Sequence, residues 1–260
     1  MKNLKIYQVD AFTDKVFSGN PAAICPLGEW LEEDQMQKIA MENNLSETAF
    51  FVKNNGHYDI RWFTPEAEID LCGHATLASA HVILNYLGSQ ANKVDFQCKV
   101  GALNVLNKDG LLEMDFPSNP PQPIPIPGGT AEALGAQPVE TFSKSFCIAV
   151  FENESTVKNL KPDFNALEKL DHHLVIATAP GNNVDFVSRV FAPKVGINED
   201  PVTGSAHTEL IPLWSEKLNK TQLTARQVSS RGGDLYCELA GDRVKMSGKA
   251  VLYMIGEIYI

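Results

Sequence analysis

The chain has 260 residues, of which 44% are hydrophobic, and its formal net charge is −10. This length and composition suit one large domain or two of ordinary size and argue against a disordered chain. The negative charge and the lack of any Lys/Arg run argue against nonspecific nucleic-acid binding, because nothing would offset phosphate repulsion.

The first half of the chain predicts mostly strands with two helices. The spacing of apolar residues distinguishes helices from strands, and glycine-containing turns mark where one element ends and the next begins. A hairpin turn is predicted at 53–56, which ends in Asn-Gly. Gly73 precedes the second helix and Gly88 is its predicted C-cap. In chain order the predicted elements are strands 5–12 and 22–25, helix 31–41, strands 48–52 and 58–63, helix 74–87 and strands within 92–116.

The second half repeats this style after a proline-rich stretch at 117–129. Proline fixes φ and removes backbone donors, so this stretch is the predicted boundary between halves 1–117 and 118–260. For the last strand two predictions stay open: it pairs within the second half, or it returns to the first half. The turns are short enough for antiparallel pairing, which favours an α+β fold over a doubly wound sheet. The predicted elements are helices 130–134, 163–170 and 205–218 and strands 146–151, 174–178, 184–191 and within 227–260.

Cysteine usage indicates a reducing compartment, and we expect a cytoplasmic protein. The five cysteines are scattered, odd in number and free of any C-x-x-C pattern, so disulfide and zinc-finger frameworks are both poor interpretations. No run of about 18 apolar residues predicts a membrane span, and the amino terminus alternates like a strand rather than a signal peptide. The cysteines are Cys25, Cys72, Cys98, Cys147 and Cys237.

One loop motif occurs twice in the chain. The pattern R-x-F-x-P at 61–65 is followed by E-x4-G-x-A at 68–75, and the same two patterns recur at 189–193 and 199–206. Each copy leads into a predicted helix. The repeat predicts two pseudo-symmetric halves with two such loops facing one cleft, an arrangement suited to chemistry on a small molecule.

Both loops place a glycine at a helix start, followed by small residues. The first N–H groups of a helix have no intrahelical partner, and the helix dipole adds partial positive charge. Glycine lets a ligand approach the backbone closely. These loops therefore predict a site for a carboxylate or an enolate, although glycine here is also explained by the turn alone. The candidate binding residues are Gly73, Ala75, Gly204, Ser205 and Ala206.

Ionisable residues lie next to the same loops. Glu47 precedes an apolar strand, where partial desolvation would fit a carboxylate for proton transfer near neutral pH. His74 lies in the first turn of a helix, where the dipole favours a neutral imidazole. Asp200 precedes the second loop, and Cys72 is either a thiolate at a helix end or a buried apolar residue. The simpler interpretations are a solvated Glu47, a packed His74 and turn chemistry at Asp200.

The chain lacks patterns for metals and nucleotide cofactors. The pair His172-His173 is adjacent in sequence, so the two side chains diverge and make a poor chelate. G-x-G-x-x-G and the P-loop pattern do not occur. The residues themselves therefore support neither a metal site nor a nucleotide cofactor.

The order of the motifs resembles the phenazine-biosynthesis isomerase (PhzF-like) family. Five motifs carry the resemblance, together with R-G-G at 231–233, and they span nearly the whole chain. They are S-G-N-P-A-A, which contains Asn20, S-E-T-A-F, which contains Glu47, R-W-F-T-P, C-G-H-A-T, which contains His74, and E-D-P-V-T-G-S-A-H, which contains Asp200.

This resemblance implies a diaminopimelate-epimerase-like fold, in which each pseudo-symmetric half is a mostly antiparallel strand barrel around a central helix. It implies a homodimer that acts on a small carboxylated substrate without metal or cofactor. Glu47 is the implied proton shuttle, with His74, Asp200 and Ser205 as further site residues. Related epimerases use one cysteine on each loop. At these two loop positions this chain has one cysteine, Cys72, and the other loop offers Asp200 and Thr203, so a two-thiol mechanism is excluded.

The sequence leaves three functions open. The first is an isomerase in which Glu47 moves a proton between carbons of a small acid. The second is an amino-acid-type racemase or epimerase that uses Cys72. The third is a noncatalytic protein that binds a small acid, although an acidic Glu47 would not help such a binder.

Overall fold

The structure, a computed structural model, describes residues 3–260. Within these residues it contains 18 strands and six α-helices, an α+β fold as the sequence predicted. The chain divides into two compact units. One comprises the described residues up to Asp115 together with Ser247–Ile260, and the other comprises Phe116–Met246.

The first unit contains nine strands and two helices. Its carboxyl-terminal strand pairs with its first strand, which explains why the end of the chain belongs to this unit. The elements are β1 (Asn3–Ala11), β2 (Asn20–Leu27), α1 (Glu33–Asn43), β3 (Glu47–Asn54), β4 (His57–Phe63), β5 (Glu68–Ile69), α2 (Gly73–Tyr86), β6 (Lys93–Cys98), β7 (Gly101–Lys108), β8 (Leu111–Pro117) and β18 (Ala250–Tyr259).

The second unit contains the remaining elements and a short 3-10 helix at Pro193–Val195. They are β9 (Gln122–Ile124), α3 (Thr130–Leu134), β10 (Glu140–Ser143), β11 (Cys147–Val150), α4 (Glu154–Asn159), α5 (Phe164–Glu168), β12 (Val175–Pro180), β13 (Phe186–Ala192), β14 (Ile197–Asp200), α6 (Gly204–Leu218), β15 (Gln222–Gln227), β16 (Gly233–Ala240) and β17 (Arg243–Gly248). Sequence patterns did not predict α4, β5, β9, β10, β14 and most of β15, which are short or lack clear periodicity.

The two units share one pattern of strand pairing. In the first unit β1 pairs antiparallel with β2, β2 parallel with β3, β3 antiparallel with β4, and β4 parallel with β6. In the second unit β10 to β13 and β15 repeat this sequence of directions. Most pairs are antiparallel. Each parallel pair is bridged by a helical crossover, because parallel strands need a long connection.

One helix in each unit is buried over about two thirds of its residues. Nine residues of α2 and ten of α6 are buried, which explains why both helices are apolar on most sides. Within the first unit α2 packs against β1, β2 and β3 and also against β6 and β7. A helix surrounded by strands has its start held on several sides, so the loop before it is well positioned. In the described part of the chain no helix is long and apolar enough to cross a membrane.

Helix α6 tolerates a proline in its interior. Pro212 has no N–H, so the carbonyl of Thr208 loses its usual helical partner. The N–H of Asn119 donates to this carbonyl at 3.0 Å instead. The proline-rich stretch therefore satisfies a carbonyl group that the helix leaves open.

The repeated loop motif forms the same ion pair in each unit. Arg61 in β4 donates two hydrogen bonds of 2.7 Å to the carboxylate of Glu68 in β5. Arg189 in β13 donates two of 2.8 Å to Glu199 in β14. Each guanidinium also lies over the phenylalanine of its own motif, at 5.2 Å and 5.0 Å from the ring centres. The motif thus ties the strand before the glycine loop to the strand that enters it.

The tight turn before β2 requires a glycine. Gly19 has φ +67°, and a Cβ atom there would lie 2.1 Å from the carbonyl oxygen of Ala11. No other residue fits this position without moving the backbone. The turn sets where β2 starts and therefore where Asn20, its first residue, is placed.

The predicted hairpin turn at 53–56 is confirmed, and a second turn has the same form. Asn54 pairs with His57 across Asn55 and Gly56, both of which have positive φ, as a type I′ turn requires. Asp109 and Gly110 form the equivalent turn between β7 and β8. Short turns of this kind set the register of the antiparallel pairs they join.

We expect Arg189→Met to destabilise the protein more than Arg61→Met. The Arg189 side chain is 11% exposed and also donates to the carbonyls of Val157 and Leu160, whereas Arg61 is 28% exposed. Breaking a fully buried pair costs about 3 kcal/mol, and breaking an exposed pair about 1 kcal/mol or less. Both pairs are partly buried, and Arg189 is the more deeply buried arginine, so its loss should lie closer to the upper figure. Urea denaturation followed by circular dichroism would measure both. Equal losses would contradict the burial argument.

Candidate active site

Three elements of the first unit bring their starting residues together. Strands β2 and β3 are parallel, with Ala22 beside Glu47, so Asn20 and Glu47 lie at the same end of the sheet. Helix α2 starts at Gly73 and presents His74 to both of them. Residues far apart in sequence therefore form one cluster at a helix amino terminus.

Glu47 and His74 form a buried acid–base pair. The Oε2 atom of Glu47 lies 2.9 Å from Nε2 of His74, and the two residues are only 8% and 5% exposed. The contact is an ion pair, and each of the two atoms has only the other as a partner among the described residues. Each buried atom therefore has a single contact, which a ligand could replace or supplement.

The other ring nitrogen of His74 faces two more polar groups. Nδ1 lies 3.2 Å from the side-chain amide nitrogen of Asn20 and 3.5 Å from the sulfur of Cys72. An asparagine amide can present either its NH2 group or its oxygen. Asn20 can therefore serve a neutral imidazole by donating to it, or a protonated imidazole by accepting from it.

The surroundings of His74 favour its charged form. Burial alone would lower the pKa of His74, but Cys72 and Glu47 outweigh it and raise the pKa well above its ordinary value. We attribute the net effect mainly to Glu47, because Cys72 is protonated at neutral pH. The helix dipole had led us to expect a neutral imidazole. The carboxylate beside the ring, which the sequence did not reveal, overrides that expectation.

Cys72 is a thiol rather than a thiolate. Burial raises the pKa of Cys72, and the nearby Glu47 carboxylate raises it further, while His74 acts in the opposite direction. The residue is the N-cap of α2 and is 5% exposed. All five cysteines of the chain are free thiols. Cys72 therefore lies in the cluster without the charge that a nucleophile or a base would need.

The same three side chains are of types that bind zinc. One ligand atom from each of Glu47, Cys72 and His74 lies within 4.8 Å of the others. The imidazole, however, turns Nε2 toward Glu47 and Nδ1 toward Cys72. A metal ion bound to one ring nitrogen would lie away from the partner of the other. The geometry fits a chain of polar contacts through the imidazole more closely than a zinc site.

The second loop is held by hydrogen bonds within its own unit. The hydroxyl of Thr203, the N-cap of α6, donates to the carboxylate of Asp200 at 2.5 Å. The backbone N–H of Thr203 donates to the side chain of Gln227. Helix α6 then starts at Gly204 and continues through Ser205 and Ala206, as the repeat predicted. Asp200 and Thr203 thus form a second polar cluster.

His207 packs in the helix rather than taking part in proton transfer. Its Nδ1 atom bonds to the carbonyl of Thr203 at 2.8 Å, and burial lowers the pKa of His207 to about 4. The ring lies next to Phe186, with 5.9 Å between ring centres. In the first unit Thr76 has the same place, and its hydroxyl donates to the carbonyl of Cys72.

Gln227 was not identified from the sequence. It is fully buried and bonds to both Asp200 and Thr203. The alternation of the strand could have identified it, because Leu223 and Ala225 are apolar and are buried on the same face of β15 as Gln227. A glutamine at the next inward position must find hydrogen-bond partners inside the protein.

Comparisons with known proteins identify relatives over nearly the whole chain. A family model described as phenazine biosynthesis-like protein matches residues 9–256. An isomerase of Pseudomonas aeruginosa, itself described as uncharacterized, is 49% identical over 257 residues, which are 99% of each chain. A crystal structure of a PhzF-family phenazine biosynthesis protein from Enterococcus faecalis is 50% identical, covers 100% of both chains and has a TM-score of 0.98.

More distant structures share the fold. A hydroxyproline epimerase from Agrobacterium vitis has a TM-score of 0.64 at 9% identity, with 98% of this chain and 92% of that chain covered. A methylitaconate-delta-isomerase has a TM-score of 0.52 at 9% identity, with 100% and 96% covered. At such identities the likeness shows the fold alone.

The duplicated strand order, the two buried helices and these neighbours define a protein with the fold of epimerases and isomerases. Within that group the chain belongs to the phenazine biosynthesis-like (PhzF-like) family, as its motifs predicted. Members of this family are named isomerases.

We expect Glu47→Gln to lower the pKa of His74. The native pKa is raised, so the stability that the imidazolium contributes is complete below its ordinary value of about 6.5 and is lost as pH rises through the folded-state value. Without the carboxylate this dependence should weaken. An NMR titration of His74 and unfolding free energies measured across pH would test it.

The matched control for this titration is Glu66→Gln, an exposed glutamate in a loop of the same unit. It should leave the His74 titration unchanged. An unchanged His74 pKa in Glu47→Gln would show that the 2.9 Å contact does not determine the protonation state.

Proposed function

We propose that the protein is a cofactor-independent isomerase that moves a proton between two carbons of a small carboxylated substrate, with Glu47 as the general acid and base. The observation that carries this proposal is the buried pair of Glu47 and His74, whose facing Oε2 and Nε2 atoms have only each other as partners among the described residues. A side chain that takes a proton and later returns it must lie in a protected place within reach of the substrate.

In the first step the Glu47 carboxylate removes a proton from a carbon next to an unsaturated or carbonyl group. The electron pair of the broken C–H bond moves into the conjugated system and gives an enolate-like anion. Glu47 is then neutral and no longer pairs with the charge on His74. The imidazolium is therefore available to donate a hydrogen bond to the new anion.

The start of α2 offers further stabilisation of that anion. The N–H groups of Gly73 and Ala75 belong to the first turn of α2. Such N–H groups have no acceptor within the helix, and they lie at the positive end of the helix dipole. Each well-placed donor of this kind is worth about 3 kcal/mol in other enzymes. In the second step the protonated Glu47 returns its proton to a different carbon, so no proton or electron is gained or lost overall.

We also propose that the second loop binds the substrate. We assign substrate contacts to Gly204, Ser205 and Ala206 at the start of α6, and an orienting or proton-relay role to Asp200. The repeated motif and the family resemblance support this assignment. The same resemblance suggests a homodimer, which belongs to the proposal on that basis alone.

The difference between the two units favours a proton shift over inversion at one carbon. Strand β12 is the counterpart of β3. Phe50 pairs with Arg61 and Ala177 pairs with Arg189, so the position equivalent to Glu47 is held by Leu174, which has no carboxylate. The counterpart of Cys72 is Thr203, an alcohol. The duplicated frame thus has one strong proton carrier, Glu47, and removal and return by one carrier use one face of the substrate.

The test is deuterium uptake from heavy water into candidate acids. The panel includes methylitaconate and trans-4-hydroxy-L-proline, chosen from the names of the two distant relatives, and cyclic unsaturated carboxylic acids. For any acid that the native protein labels, Glu47→Gln should lower the rate roughly 100-fold or more, because general acid–base groups contribute this much. Glu66→Gln is the control that should keep the native rate. Equal labelling by Glu47→Gln and the native protein would refute the role of Glu47.

A substitution at Cys72 separates the isomerase from the racemase alternative. We expect Cys72→Ala to label the same acid within about twofold of the native rate, because the thiolate rather than the thiol is the reactive form of cysteine. The assay is the same, with the optical purity of an amino-acid substrate measured in parallel. Loss of labelling and of inversion together would support the racemase.

A further inference from the structure

Gln227 makes three hydrogen bonds to the loop before α6. Its side-chain oxygen accepts from the backbone N–H of Thr203 at 2.9 Å. Its side-chain nitrogen donates to the carbonyl of Asp200 at 2.6 Å and to the hydroxyl of Thr203 at 3.2 Å. All donors and acceptors of one buried side chain are thus directed at two residues of the loop.

These bonds also orient the Thr203 hydroxyl. A hydroxyl has one proton to donate and lone pairs to accept with. Because Gln227 donates to its oxygen, the proton of Thr203 is available for the carboxylate of Asp200, which it reaches at 2.5 Å. Asp200 is therefore held twice, through its own carbonyl and through the hydroxyl that binds its carboxylate.

We propose that Gln227 is a positioning residue, which fixes the orientation of the Asp200 carboxylate through Thr203. This inference rests on the proposed function, in which Asp200 acts on the substrate. Gln227 does not itself contact substrate in this proposal. Its effect on the reaction passes through Asp200 alone.

The first unit has no glutamine at the position equivalent to Gln227. Phe186 in β13 pairs with Ala225 in β15, and Tyr58 in β4 pairs with Phe96 in β6, so Gln227 and Cys98 occupy equivalent places. The thiol of Cys98 donates instead to the carbonyl of Gly101, within its own hairpin. The duplicated frame alone therefore does not require a glutamine at this position.

The first part of the test needs no substrate. Crystal structures of Gln227→Met and Gln222→Met would be compared with the native protein, since Gln222 is exposed on the same strand and serves as the matched control. Methionine keeps the length of glutamine and removes its hydrogen bonds. We expect the contact between Thr203 Oγ1 and Asp200 Oδ2 to be lost only in Gln227→Met. A retained contact would overturn the proposal.

The second part asks whether the effect passes through Asp200. Deuterium uptake into methylitaconate, or into another acid of the panel that the native protein labels, is measured for Gln227→Met, Asp200→Asn and the double variant. Misplacing an orienting group costs about tenfold to 100-fold, which we expect for Gln227→Met. The double variant should be no slower than Asp200→Asn, because coupled residues are not additive.

If the rate losses of the two single variants multiply in the double variant, Gln227 acts through the structure in general and the proposal is overturned. A native labelling rate in Gln227→Met would overturn it as well. Circular dichroism and urea denaturation would show that each variant is folded. If the native protein labels no acid, the proposed function fails, and the crystal structures still decide whether Gln227 sets the position of Asp200.

Discussion

The ion pair between the arginine of one strand and the glutamate of the next is the constraint on which each glycine loop depends. In the first unit Arg61 ties β4 to Glu68, four residues before Cys72 and five before Gly73. The start of α2 is therefore only a short, restrained segment away from a rigid strand. Arg189 and Glu199 do the same for α6. A helix terminus can act as a binding site only where its first N–H groups are held in place.

The two units hold different side chains in this common frame. In the first, the positions around the helix start hold Glu47, Cys72 and His74, which can move or hold a proton. In the second, they hold Thr203 and Ser205 together with the carboxylate of Asp200, to which the Thr203 hydroxyl donates. Duplication thus supplied the frame twice, and in our proposal the side-chain differences make Glu47 the proton carrier and Asp200 an orienting or relay group.

Burial makes the cluster in the first unit sensitive to small changes. The carboxylate of Glu47 favours the charged form of His74, and in a partly dry environment their attraction is stronger than in water. Removing the proton from His74, or adding one to Glu47, therefore changes what the remaining group can bind. Asn20 can follow either change by presenting a different end of its amide. Such a cluster suits a reaction in which charge moves from the protein to the substrate and back.

Local patterns in the sequence determined most of the fold. The helices α2 and α6, their starting glycines and the Asn-Gly turn follow from periodicity and from the φ angles that glycine and asparagine tolerate. The repeated motif was enough to predict two related halves, and the motifs around Glu47, His74 and Asp200 were enough to predict the family. The short strand β10 and helix α4 could not be predicted, because their residues have weak patterns and are held by tertiary contacts.

Only the tertiary structure determined the electrostatics of the site. The helix dipole predicts a neutral His74. Strand β3, however, runs parallel to β2 and starts beside the first turn of α2, so the carboxylate of its first residue, Glu47, lies 2.9 Å from the imidazole ring. Gln227 likewise gains its role from β15 pairing with β13, a contact between strands that are distant in sequence. Charge interactions and hydrogen bonds depend on distance in space, and spacing along the chain carries almost no information about that distance.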